Sequence, residues 1–356
     1  MTHALVVRPD NVGDVLLAGP AVRAVATDVD RVTFWAGPNG AAAAALLPGV
    51  DEVMVHRADW IDPAATGVDR GRVMAFVDDL RDLALDEAVI LTSFHQSPLP
   101  AALLLRLACV PTIAAVSHDF PGALLDVRHR VGDDIHEVER ALSLVATLGH
   151  RLPPGDHGGL AVAVPPDTDV EVPDAADLVV VHPGASVPAR AWAPGHHRET
   201  VAALRADGWR VLVTGGAGER DLTAFVADGV DDLGGRTSLA ELADLMAHSA
   251  GVITGNTGPA HLAAAVGTPV VCLYAPTVPP VRWRPWGVAH VLLGELDIAC
   301  AGCRSHHCPL PGHPCLDDVT PDHVVAALRR LLSDRDAVRP PLVADRDAVV
   351  ALGGTA

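Results

Sequence analysis

An α/β protein built from two doubly wound domains is predicted by three observations. Short apolar runs alternate with helical patterns along the chain, as in strand–crossover–strand units. The alternation breaks once, in a stretch rich in Pro, Gly and Asp between Pro153 and Pro173, and then restarts. The length of 356 residues suits two cores at roughly 100–200 residues per domain.

The first half opens with the apolar run Ala4–Val7, a turn-rich Arg8–Asp14, and a helical pattern in Val15, Leu16, Ala18, Val22 and Val25. Val32–Trp35 and Asp51–Val55 read as strands around an Ala-rich helix, Gly40–Leu47. Ala88–Thr92 is a further strand, followed by a helix over Leu99–Leu107. Leu160–Val164 is a candidate terminal strand. The second half gives strands at Leu178–His182, Arg210–Thr214, Gly251–Thr254 and Val270–Tyr274. Helices are expected at His196–Ala206, Glu219–Ala227, Leu239–Ala247, Pro259–Val266 and Thr320–Leu332. The expected domains are 1–165 and 176–335, with 336–356 as a C-terminal tail.

Composition restricts function. The chain has 26 basic and 44 acidic residues, for a formal net charge of −18. Such a chain is repelled by nucleic acid and by anionic membrane surfaces. Every basic residue is Arg, so Schiff-base and P-loop lysine chemistry are excluded. The runs near 41–47 and 101–110 are too short, or interrupted by Arg106, to span a bilayer, which takes about 20 apolar residues. Met1-Thr2-His3 leads into Ala4 with no basic n-region or cleavage site, so a cytoplasmic protein is expected.

In doubly wound domains, ligands bind at the carboxyl ends of strands. Four loops qualify. Asp10-Asn11-Val12-Gly13-Asp14 follows the first strand and offers a carboxylate suited to act as a base. By position alone, Asp14 reads more readily as a helix N-terminal residue. His182-Pro183-Gly184-Ala185-Ser186 leads to Arg190, a guanidinium able to hold a phosphate in two contacts. Gly215 and Gly216 belong to a glycine-rich strand-to-helix turn with amides for an anion. Asn256-Thr257-Gly258-Pro259-Ala260-His261 opens a helix whose first-turn N–H groups suit a diphosphate without a lysine. His261 stands one turn inside.

Taken together, the chain resembles glycosyltransferase family 9, the ADP-heptose:lipopolysaccharide heptosyltransferases. The resemblance is carried by Arg8-x-Asp10-Asn11-x-Gly13-Asp14 with Pro20-Ala21-x-Arg23, by His182-Pro183-Gly184-Ala185, and by Arg190-x-Trp192 and Gly215-Gly216. Asn256-Thr257-Gly258-Pro259-x-His261-Leu262-Ala263, Gly267-Thr268-Pro269-Val270-Val271, Ala275-Pro276-Thr277 and Arg282-Trp283 complete it, over about residues 1–330. It implies a GT-B fold, two Rossmann-like doubly wound domains facing a central cleft. It also implies inverting, metal-independent transfer of a heptose or related sugar from a nucleoside-diphosphate donor, ADP-heptose or a relative, to a hydroxyl of a glycan or small-molecule acceptor.

On this resemblance the N-terminal domain takes the acceptor, with Asp14 as catalytic base and Asp10, Asn11, Gly13, His95 and Ser97 on the acceptor side. The C-terminal domain takes the donor through Arg190, Gly215, Gly216, Asn256, Thr257, Gly258, Pro259 and His261. Residues 1–175 hold 25 acidic and 12 basic residues against 19 and 14 in 176–356, so the donor half is the less acidic. Two positions depart from the family: Arg190 where Lys is frequent, and Asn256 where Asp is frequent. The neutral Asn256 leaves the base role to Asp14. It also motivates an alternative, a catalytically idle nucleotide-sugar binding protein. A nicotinamide-dependent enzyme is disfavoured, because no Gly-x-Gly-x-x-Gly follows the first strand.

Cys300, Cys303, Cys308 and Cys315 fall within sixteen residues, among His306, His307 and His313. Their spacing points to a structural role, zinc or disulfide, rather than a catalytic metal.

Overall fold

The computed structural model describes residues 1–62, 65, 67–132, 134–165 and 177–333. The chain divides into two compact units, one covering Met1–Ala161 and the other starting at Val162. The expected tail at 336–356 and the residues between the expected domains lie outside the described residues.

The first unit runs β1 (His3–Arg8), α1 (Val12–Ala26), β2 (Arg31–Ala36), α2 (Ala41–Ala44), β3 (Glu52–Val55), α3 (Arg70–Asp82), β4 (Glu87–Ile90), α4 (Leu99–Leu107), β5 (Thr112–Val116), β6 (Val127–His129) and α5 (Glu137–Val145). Its strands pair in the order β3-β2-β1-β4-β5-β6, all parallel. Ala4–Val7 is fully buried, as a parallel strand covered on both faces requires. Leu5, Val7, Trp35, Ala88, Ile90 and Ile113 pack with Phe76, Val77 and Leu80 of α3 and with Ala101, Ala102 and Leu105 of α4.

The second unit runs β7 (Leu178–His182), α6 (Pro194–Ala206), β8 (Arg210–Val213), α7 (Arg220–Ala227), β9 (Asp231–Asp232), α8 (Leu239–Ala247), β10 (Gly251–Gly255), α9 (Gly258–Ala265), β11 (Val270–Leu273), α10 (Pro280–Trp283), β12 (His290–Leu293), α11 (Pro314–Asp317) and α12 (Pro321–Ser333). The order β12-β11-β10-β7-β8-β9 repeats the first sheet's winding, again all parallel. Ser238 starts α8 with a reciprocal capping box to Glu241.

Both sheets have the winding 3-2-1-4-5-6 counted within each unit, so each reverses direction once. The reversal lies between β1 and β4 in the first unit and between β7 and β10 in the second. This topology puts a crevice beside Arg8 and Leu91 in one unit and beside His182 and Asn256 in the other.

Three expectations need correction. Leu160–Val164 makes no strand: Leu160, Ala161 and Val162 are buried, yet none joins a ladder. The Ala-rich helix shrinks to the single turn of α2, because Leu46 and Leu47 bond back only three residues. The expected helix from Glu219 begins as a 3₁₀ turn at Ala217–Glu219, and the α-helix starts at Arg220.

Candidate active site

Arg8 ends β1, and its guanidinium organises the first crevice. Only 4% of the residue is exposed. Its Nη1 donates to the Leu91 carbonyl at 3.2 Å, and its Nη2 donates to Asp14 Oδ1 at 2.8 Å and to Ser93 Oγ at 3.1 Å. Asp10 Oδ2 lies 3.0 Å from Nε, and Glu137 Oε2 lies 3.5 Å from Nη1. Three carboxylates thus surround one guanidinium. Burial by itself opposes the Arg8 charge, but Asp10, Asp14 and Glu137 outweigh it and hold the group charged. Arg140 pairs with Glu137 at 3.5 Å and donates to the Thr92 carbonyl, tying α5 to the loop after β4.

The three carboxylates are not equivalent. The side chains of Asp10 and Glu137 are 6% and 3% exposed, whereas that of Asp14 is 23% exposed, so Asp14 is the most open to solvent. It sits in the first turn of α1, where the helix dipole favours a negative charge. Asp10 is pushed up to about 6, first by burial and then by the charge of Asp14, against the pull of Arg8. Gln96 donates to Asp10 Oδ1 at 2.6 Å, and its own Oε1 accepts from the Ser93 amide at 3.1 Å.

Of the acceptor-side residues expected from sequence, Asp10 joins Asp14 in this network, and Gly13 lies beside Asp14 in the first turn of α1. Asn11 is exposed and accepts from Asn39 Nδ2 at 3.2 Å. His95 is exposed, edge-on to Phe94. Ser97 accepts from the Leu99 amide at 3.4 Å, at the start of α4. Arg8, Gln96, Glu137 and Arg140 carry the network although the sequence does not single them out as site residues. Arg8 at least belongs to the family motif. Glu137 reaches Arg8 from 129 residues away (137 − 8) and Arg140 reaches the Thr92 carbonyl from 48, and no local spacing marks them.

In the second crevice, Thr257 stands in an extended conformation before α9, and its side chain makes no cap bond. Its Oγ1 is buried with no hydrogen-bond partner among the described residues. Gly258 and Pro259 form the first turn, and His261, 5% exposed, lies one turn inside. Arg190 Nε donates to Thr277 Oγ1 at 3.1 Å and its Nη1 to the Asn256 carbonyl at 3.4 Å, so the guanidinium is held beside the start of α9. Asn256 Nδ2 donates to the Ala275 carbonyl at 3.1 Å, a bond an ionised Asp could not make.

The glycine-rich turn is furnished differently from a bare amide cradle. The Gly216 amide donates to Glu219 Oε2 at 2.7 Å, so the turn presents a carboxylate. A Cβ on Gly184 would stand 2.0 Å from Glu219 Oε1, and a Cβ on Gly215 would stand 2.6 Å from Thr223 Cγ2. Both glycines serve close approach. His182 contacts Thr214 Oγ1 through Nδ1 at 3.1 Å, and its Nε2 lies 3.8 Å from Glu219; burial lowers its pKa below the ordinary histidine value, against the pull of Glu219. His197, buried against Trp192, is lowered to about 3 by burial and by His182 and His196.

The cysteine segment contains no disulfide. Cys315 is buried, and its thiol is pushed up to about 11, by burial first and then by Cys308, Cys300 and Cys303 nearby. Among the described residues no group of three or more His, Cys, Asp or Glu is arranged to hold a metal ion, so the zinc reading gains no support. Among them, too, no helix is long and apolar enough to cross a membrane.

Comparison with known proteins gives these crevices a context. The family model described as "Glycosyltransferase family 9 (heptosyltransferase)" matches residues 78–313. Lipopolysaccharide heptosyltransferase 1 of Pseudomonas aeruginosa is 30% identical over 320 residues, covering 86% of this chain and 87% of that protein. Among solved structures, E. coli ADP-heptose lps heptosyltransferase II superposes with a TM-score of 0.72 at 20% identity, covering 94% of this chain and all of that one. The E. coli heptosyltransferase WaaC with ADP-2-deoxy-2-fluoro heptose gives 0.71 at 22% identity, covering 92% of this chain and 99% of that one. The two winding sheets are those of the GT-B fold these structures share. With the family model spanning well over half its length and a relative at this identity covering most of it, the chain belongs to glycosyltransferase family 9 and is a glycosyltransferase that uses a nucleotide sugar.

Proposed function

We propose that the chain transfers a heptose or closely related sugar from ADP-heptose to an acceptor hydroxyl, with inversion and without a metal ion. In this reading the first unit takes the acceptor and the second the donor. The heptosyltransferase relatives and the structure of WaaC with an ADP-heptose analogue support the donor; the lipopolysaccharide heptosyltransferases among the relatives support a lipopolysaccharide-type acceptor. The observation that carries the mechanism is Asp14 held by Arg8 at a strand-end crevice, the most exposed of three carboxylates around one guanidinium.

Asp14 takes the proton of the acceptor hydroxyl as that oxygen bonds to the anomeric carbon. The bond from that carbon to the diphosphate breaks on the opposite face, which inverts the centre. Negative charge builds on the departing diphosphate. The amides opening α9, the Thr257 hydroxyl and the Arg190 guanidinium supply preorganised stabilisation that a metal ion provides elsewhere. Glu219, in the turn after β8, occupies the kind of position from which an acidic side chain accepts ribose hydroxyls in dinucleotide folds.

Release of ADP from ADP-heptose in the presence of a heptose-free lipopolysaccharide acceptor tests this. Asp14→Asn is expected to lower kcat by about 10²–10⁴-fold with ADP affinity kept, as removal of a general base does. EDTA is expected to leave the wild-type rate unchanged. Full turnover by Asp14→Asn would remove Asp14 from the mechanism, and loss of activity in EDTA would overturn metal independence.

A further inference from the structure

The cysteine-bearing segment 299–313 contributes no metal site among the described residues, yet it is fastened to both sides of one contact in the second crevice. The Gly302 amide donates to the Pro276 carbonyl at 2.7 Å and the Arg304 amide to the Thr277 carbonyl at 3.0 Å, fixing the loop after β11. The Ala189 amide donates to the His306 carbonyl at 2.9 Å, and His313 Nε2 donates to the Ala189 carbonyl at 2.9 Å, fixing the 3₁₀ turn Pro188–Arg190. Both backbone polar groups of Ala189 are therefore satisfied by this segment. Arg190, the next residue, donates from Nε to Thr277 Oγ1. Ala189 and Thr277 are each 3% exposed. The segment thus grips both sides of the Arg190–Thr277 contact by their main chains.

His313 makes this grip from a costly conformation. Its φ of 52° is left-handed, a region that disfavours residues other than glycine, and Pro314 follows directly as α11 begins. A glycine would occupy that backbone with less strain but could not reach Ala189. An imidazole held there forgoes backbone comfort for a side-chain bond to the turn that carries Arg190.

We propose that His313 is a positioning residue for donor binding: through Ala189 it sets Arg190 at the start of α9, where the diphosphate is to lie. This rests on the donor-binding reading of the second unit. The guanidinium can make paired contacts to phosphate only from a fixed plane, so a turn free to rotate about Ala189 costs affinity even with Arg190 intact.

The test measures ADP dissociation constants by calorimetry on the full chain, with circular dichroism and thermal unfolding to confirm the fold. His313→Gln keeps an N–H near the Nε2 position and is expected to bind ADP within about twofold of wild type. His313→Leu fills similar volume without a donor and is expected to bind about tenfold more weakly, the effect of losing one part-buried hydrogen bond. His313→Gly relieves the backbone and is expected to unfold no earlier than wild type while also binding more weakly. Arg190→Ala binds weakly, and adding His313→Leu to it is expected to cost nothing more, since coupled residues do not add. Equal affinities for the Gln and Leu variants, or full additivity with Arg190→Ala, would overturn the positioning role. Failure of the wild type to bind ADP, UDP, GDP or dTDP would instead overturn the donor reading on which it rests.

Discussion

At the scale of single residues, the arginine at the end of the first strand decides the electrostatics of the N-terminal unit. A buried guanidinium facing three carboxylates leaves negative charge in excess, partly met by Arg140. Burial resists ionisation of Asp10, which is why its carboxyl is pushed up to about 6. Because the folded protein binds that proton more tightly than the unfolded chain, this group's stabilising contribution is present at low pH. It falls as pH rises from the ordinary carboxylate range through about 6. Asp10→Asn stays neutral throughout. Its thermal midpoint is expected to lose less than the wild type's between about pH 4.5 and pH 7, and parallel curves would show that Asp10 ionises normally. Part of this cluster is legible in the sequence: the loop after the first strand offers Asp14 as a carboxylate at the crevice, and the family resemblance adds Asp10. Their ranking is not, since it depends on Glu137 and Arg140, which only the tertiary fold brings near.

At the scale of elements, sequence pattern reveals what carries a strong local period and misses what does not. Strands of continuous apolar residues such as Leu178–His182 match within a residue. Helix α3 leaves little trace in the pattern because only Phe76, Val77 and Leu80 of its thirteen residues are buried. Strand β6 lies at the edge of the first sheet and β12 at the edge of the second, and their short mixed sequences lack a clear alternation, whereas the short apolar run Ile113–Val116 of β5 is buried and carries no turn signal that sets it apart. Glycines separate by role at this scale. Gly184→Ala must push Glu219 off the Gly216 amide, and is expected to lower unfolding stability by about 1 kcal/mol, one hydrogen bond's net worth. Gly195→Ala meets open space in the first turn of α6 and is expected to raise it, by up to about 1 kcal/mol from helix propensity. Urea denaturation of both variants checks the pair; equal shifts would show that Glu219 yields without cost.

On the scale of the whole chain, two sheets with one winding order account for two strand-end crevices, and a lysine-free composition leaves anion binding to amides and arginines. The amino ends of the strands do other work. His150 contacts Asp28 Oδ2 at 3.1 Å and Glu87 Oε1 at 2.7 Å, joining the segment after α5 to the starts of β2 and β4. The hydrogen bond to Glu87 is the main cause of its raised pKa. A raised histidine stabilises fully below its unfolded value near 6.5, and the contribution is lost as pH rises through the higher folded value. His150→Gln is therefore expected to flatten the decline in thermal midpoint between about pH 6 and pH 8, and an unchanged slope would place the titration elsewhere.

Parallel strands carry a further consequence, because they point every crevice the same way within a sheet. His3 and Arg8 are the two ends of β1, about 17 Å apart at about 3.3 Å per residue. That is roughly twice the distance over which physiological salt screens a charge, about 8 Å. It also exceeds the roughly 7–10 Å beyond which substitutions usually act independently. Charge changes around His150, Asp28 and Glu87 can therefore retune the pH at which the first unit melts while Asp14 keeps its surroundings. If Asp14 has the proposed role, durability and turnover are separately adjustable in one domain, with β1 as the spacer between them.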